Sequence, residues 1–164
     1  MTRRVEGVLW AEQGGRPGVG PSGPKKGLKA AGLRYEAEVA GALPPGLPGL
    51  WWHFQDANGL GWCQTDLLLR GAARDLIIEV KLTYTEEAWV QLEGLYLPVV
   101  ATALGRPVLG IQICKRFLAK PPAGVAVATE FAEAVKLAAR EPRVVLHWLG
   151  RAFAPPLWPL KRAA

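Results

Sequence analysis

The chain has 164 residues, half of them hydrophobic, which suits one compact domain with a real core and excludes disorder for most of its length. No apolar run approaches the roughly 20 residues that span a bilayer, and the first residues carry no secretory pattern, so a soluble cytoplasmic protein with no membrane partner is expected. The net charge of +6 is concentrated in the first 34 residues, where Arg3, Arg4, Arg16, Lys25, Lys26, Lys29 and Arg34 face only Glu6 and Glu12. That surplus suits a polyanionic partner or serves solubility.

Residues 1–27 read as a flexible basic arm, because the stretch 11–27 is rich in Gly and Pro and has no hydrophobic period. A short strand at Val5–Trp10 is possible within it. From Leu28 to Leu43 the pattern is helical, with Leu33, Glu36, Val39, Ala40 and Leu43 on one face. Glu36 interrupts that apolar stripe, whereas Glu38 points elsewhere.

Leu50–Gln55 is an aromatic strand, and Asn58-Gly59 marks a hairpin into a second strand, Leu60–Leu69. A third strand, Asp75–Thr83, completes an antiparallel meander. Thr83-Tyr84-Thr85-Glu86 has capping-box spacing and opens a helix expected to run to Leu104, with Gly105 past its end. Val108–Phe117 is apolar on both faces and is expected as a central strand. A helix near Thr129–Arg140 and a strand near Arg143–Leu149 follow, and residues 151–164 form an irregular tail. The expected fold is α/β, a mixed sheet flanked by helices in the order α-βββ-α-β plus a C-terminal helix and strand, with residues 28–150 as the domain.

Cys63 and Cys114 are the only cysteines and have no CxxC pairing, so a four-cysteine zinc or iron–sulfur site is excluded and both are expected as small buried hydrophobes. His53 and His147 share no ligand spacing and read as structural. The chemistry sits elsewhere. Strand alternation puts Glu79 and Lys81 on one face of the third strand, with Ile78, Val80 and Leu82 on the other. An even connection between the strands, such as Gly71–Arg74, would set Asp66 directly opposite Glu79. Two carboxylates in register repel, and a divalent cation between them turns that repulsion into a site. Oxygen donors favour Mg2+, with Mn2+ able to substitute. Lys81 would orient or deprotonate an attacking water, and Glu36 would hold metal-bound water or a second ion. Singly, each residue is as easily an ordinary strand residue; the joint pattern carries the reading.

Glu36, Asp66 and Glu79-Val80-Lys81, set on helix, three strands, helix and strand, resemble the PD-(D/E)XK nuclease superfamily over residues 28–118. Thr65 stands where that motif is usually written with proline. The resemblance implies a restriction-endonuclease-like core, Asp66, Glu79 and the Val80 carbonyl as metal ligands, Lys81 serving the nucleophile, and Gln91 as an accessory polar residue. Size and the placement of Glu36 look most like the archaeal-type Holliday junction resolvases, which implies a homodimer acting on four-way DNA junctions in recombination and repair, with Arg3, Arg4, Lys25, Lys26, Lys29 and Arg34 on DNA. The alternatives are a RecB-like exonuclease, a restriction-type endonuclease, or a catalytically inert nucleic-acid-binding protein. The aromatic stretch with Trp51, Trp52, Phe54 and Trp62 would pack in the core, stack on unpaired bases or form a dimer contact.

Overall fold

In the computed structural model, described for residues 4–13 and 27–150, seven strands form one mixed sheet flanked by helices. The strands are β1 (Val5–Gln13), β2 (Leu47–Asp56), β3 (Gly59–Leu69), β4 (Asp75–Thr83), β5 (Val108–Arg116), β6 (Ala126–Ala128) and β7 (Val144–His147). Their order in the sheet is β1-β2-β3-β4-β5-β7-β6. The first four pair antiparallel, and β4, β5, β7 and β6 pair parallel. The expected mixed α/β sheet is therefore present, with β5 central.

The helices are α1 (Gly27–Ala42), α2 (Glu86–Gln91), α3 (Leu97–Leu104) and α4 (Phe131–Ala138). One sheet face packs Leu67, Leu69, Leu76, Ile78, Val80, Ile111 and Ile113 against residues of α1 and α4. The other packs Trp52, Phe54, Leu68, Ile77 and Cys114 against Trp89, Leu92, Val99 and Val100. Cys63 and Cys114 are both buried, as expected of small hydrophobes. Among the described residues no helix is long and apolar enough to cross a membrane.

Five departures from the expected elements have physical causes. The strand near Val5–Trp10 runs to Gln13 and pairs along β2, so residues 5–13 belong to the sheet; residues 14–26 and the tail 151–164 lie outside the described residues. The buried stripe of α1 is Tyr35, Val39 and Leu43, while Leu33 is 47% exposed. Tyr35 takes the inward place because its hydroxyl donates to the Trp148 carbonyl at 3.0 Å, which removes the penalty of burying it. The helix after β4 is capped by Thr85, whose Oγ1 accepts the Glu87 N–H, since Thr83 is still in β4 beside Arg116. That helix is also not uniform: Leu92–Tyr96 forms a π-helical turn, with the Leu97 N–H reaching back to the Leu92 carbonyl. Pro98 has no N–H to give the Gly94 carbonyl, so the regular ladder is already broken there. Gly105 closes α3 in the left-handed conformation (φ 63°), as its position after the helix suggests. β6 escaped the sequence reading because three residues are too few to show alternation.

Gly46, in the turn from α1 into β2, is fixed by close packing. A Cβ there would stand 2.5 Å from Leu69 Cδ2 and 2.7 Å from the Leu68 carbonyl oxygen. Since a backbone atom cannot rotate away, Gly46→Ala is expected to destabilise the fold by about 2–3 kcal/mol, measured as a loss in denaturant-unfolding free energy. An unchanged midpoint would mean that this turn is looser than its packing implies.

Candidate active site

The site forms where β3 and β4 part. Their register pairs Leu69 with Leu76, Leu68 with Ile77 and Leu67 with Ile78, which is an even connection. One more step sets Asp66 opposite Glu79. There the ladder changes character, because Asp66 Oδ2 accepts the Val80 N–H at 2.7 Å. A side chain thus takes the place of a backbone acceptor. β3 also switches faces at this point. Cys63 packs in the core beside α3, but Leu67 packs in the core beneath α1, which strict alternation forbids. Gly49 in β2, with φ of 60°, lies across from the switch.

Glu79 and Lys81 do share a face, with Ile78 and Val80 in the opposite core. Glu79 is 1% exposed, and Lys81 Nζ lies 2.7 Å from its Oε1. The other oxygen, Oε2, is buried without a hydrogen-bond partner. Asp75, a buried carboxylate in the same strand, also has an oxygen, Oδ2, without a hydrogen bond, but its charge is met twice. Asp75 at the start of β4 meets both Arg70 (2.9 Å) and Arg106 (3.2 Å), and also accepts the Gly71 N–H. Glu79 has one cation and a second carboxylate instead.

The electrostatics follow from that arrangement. Burial, then the Asp66 charge, push Glu79 up to about 8, with Lys81 opposing. Burial also raises Asp66, against the Val80 N–H and Lys81, and the two carboxyls lie close enough for one to hydrogen-bond the other when protonated. Lys81 is desolvated, which alone would lower it, but Glu79 and Asp66 outweigh this and raise it. It is a firmly charged ammonium. Glu36, half-buried on α1, is raised to about 7 by burial and by Asp66. It lines a cleft of about 460 Å³ with Leu33, Ala37, Ala40, Gly49 and Asp66. Glu36 thus reaches the group from the border of α1, not from its buried stripe.

Gln112 in β5 pairs with Glu79 and is fully buried. Its amide donates to the Thr85 carbonyl and accepts the Thr85 N–H, both at 3.0 Å, which fixes where α2 leaves the sheet beside the site. Gln91 on α2 is half-buried, and its Oε1 has no partner. The sequence reading missed Tyr96. Its phenol is pushed far up by burial and then by Glu79 and Asp66, so it stands near both carboxylates and keeps its proton. The π-helical turn Leu92–Tyr96 separates Gln91 from Tyr96 and changes the spacing a regular helix would give them. Only the missing Pro98 N–H hinted at this in the sequence.

Among the described residues no group of three or more His, Cys, Asp and Glu is arranged to hold a metal ion. The pair Asp66–Glu79, with the orphaned Oε2 and the adjacent Val80 backbone, still fits a hard divalent cation, which commonly takes one or two carboxylates and keeps several waters. Of the expected DNA contacts, Arg4, Lys29 and Arg34 are exposed, while Arg3, Lys25 and Lys26 lie outside the described residues. His53 stacks on Trp62, and His147 Nε2 lies 3.0 Å from the Lys115 carbonyl, so neither joins the site. Comparison with protein families, with curated proteins and with solved structures finds no match to this chain.

Proposed function

We propose that this chain is a Mg2+-dependent DNA endonuclease with a restriction-endonuclease-like core of the PD-(D/E)XK type, acting as a homodimer on branched DNA such as four-way junctions. The observation that carries the reading is Glu79: fully buried, one oxygen orphaned, a second carboxylate beside it and an ammonium at 2.7 Å. Such an arrangement destabilises the fold unless a proton or a cation completes it, and that points to function.

A divalent cation held by Asp66, Glu79 and the Val80 carbonyl would polarise a phosphoryl oxygen and acidify a bound water. Lys81, fixed by Glu79 Oε1 and protonated, orients the attacking water and offsets charge developing on the phosphate. Glu36, poised near neutrality at the cleft mouth, accepts a proton from that water. The Val80 N–H keeps Asp66 in place throughout. Exposed Lys29 and Arg34 supply phosphate contacts.

The full chain is incubated with a synthetic four-way junction, a linear duplex and a single strand, with and without Mg2+. Paired, symmetric, Mg2+-dependent cuts near the branch point are expected. Degradation from ends would favour an exonuclease, and binding without cutting in any metal would reduce the chain to a nucleic-acid-binding protein.

A further inference from the structure

A second feature lies on the sheet outside the carboxylate group. Trp10 of β1 pairs with His53 of β2, which pairs with Trp62 of β3, so three rings form one rung across the antiparallel strands. His53 lies flat on Trp62 (4.1 Å, 5° between planes), and Trp10 stands edge-on to both, at 5.5 Å from His53 and 4.6 Å from Trp62. The opposite face of the same strands holds Trp52, Phe54 and Cys63, buried against the α3 side. The three-ring face is open instead, with Trp10 43% and Trp62 37% exposed. The rings brace one another, so they offer a rigid aromatic surface with little ordering left to lose.

The position of this rung gives it meaning. Trp62 precedes Asp66 by four residues of β3, which sets the platform roughly 13 Å from it, and Asp66, where β3 switches faces, borders the cleft beneath α1. Gln64 Nε2 is tied back to the Gly49 carbonyl, which leaves the path between them low. That path enters the cleft lined by Leu33, Glu36, Ala37, Gly49 and Asp66 beneath α1. Lys29 is four residues before Leu33 and exposed, on the same stripe of the helix, and the chain as a whole is cationic.

We propose that Trp10, His53 and Trp62 form a stacking platform for unpaired nucleobases, holding single-stranded nucleotides that flank the phosphate at Asp66. This rests on the reading of the carboxylate group as a nuclease centre and adds that the substrate is splayed or single-stranded beside the cut. Ring faces stack on any base, so the platform selects for unpaired structure and tolerates sequence.

The test uses the full chain and a short single strand carrying 2-aminopurine, whose emission is quenched on stacking, measured without divalent metal so that nothing is cut. Wild type is expected to quench the probe. Trp10→Ala with Trp62→Ala is expected to abolish quenching and weaken single-strand binding at least about tenfold, with binding to fully paired duplex unchanged. Trp62→Phe, which keeps a ring, should retain most of the affinity and guards against simple misfolding. Quenching that survives the double substitution overturns the platform. So does a double variant that turns a dimer into a monomer while its single-strand affinity stays the same, because the patch is then a contact between copies. A parallel incubation with Mg2+ separates the two readings: quenching without cleavage leaves the platform standing and removes the nuclease, whereas cleavage without quenching does the reverse.

Discussion

Asp66→Asn is expected to lose DNA cleavage by at least about a thousandfold, the several kcal/mol that a metal-held phosphate contributes to the barrier, while the folded protein becomes more stable. Both effects come from one charge. Asn keeps an oxygen to accept the Val80 N–H, so the junction of β3 and β4 is preserved. Its amide can donate to the Glu79 carboxylate, which the native Asp66 carboxylate repels. Removing that repulsion should relieve roughly 1–2 kcal/mol near pH 8 and raise the melting temperature by about 4 °C. Asp66→Ala makes the contrast: it also removes the acceptor for Val80, so its stability gain should shrink or reverse. Calorimetry and a junction-cleavage assay read the two effects separately. A variant that still cuts at the native rate would sink the metal-site assignment. One that loses stability along with activity would show that Asp66 serves the fold.

The part of this site legible in the sequence was the part governed by short-range rules. Period-two alternation placed Glu79 and Lys81 together, and the parity of the β3–β4 connection placed Asp66 opposite Glu79. What escaped depended on tertiary contacts. Tyr35 outcompeted Leu33 for the inward face of α1 because a carbonyl 113 residues away, at Trp148, accepts its hydroxyl. Glu36 was placed near the site for the wrong reason: it lies on the rim of the helix, not in the middle of its buried stripe. Strict alternation also gave no sign that β3 changes faces at Asp66, since the switch is shared with Gly49 in a neighbouring strand. Tyr96 was invisible because a π-helical turn alters the residue spacing on which helical faces are counted.

The same carboxylates make stability fall as pH rises, opposite to the usual acid denaturation. Glu79 titrates near 8 in the folded chain against about 4.5 when unfolded, and Glu36 near 7. Between those limits the folded state binds more protons than the unfolded one, so unfolding free energy decreases with pH. Lys81 carries its proton in both states throughout this window and adds no slope. The loss attributable to Glu79 is roughly 3–5 kcal/mol from pH 4.5 to 8, with Glu36 adding to it below pH 7. In metal-free buffer the melting temperature should therefore decline by about 10 °C from pH 5 to pH 8.5. Glu79→Gln should flatten most of that decline, because a neutral amide costs the same at every pH. Added Mg2+ should restore stability at pH 8.5, where the carboxylates are free to bind it, and do little at pH 5, where protons already occupy the pair. A melting temperature that rises from pH 5 to 8.5 would mean that Glu79 is ionised and satisfied by Lys81 alone, leaving no position for a cation to fill.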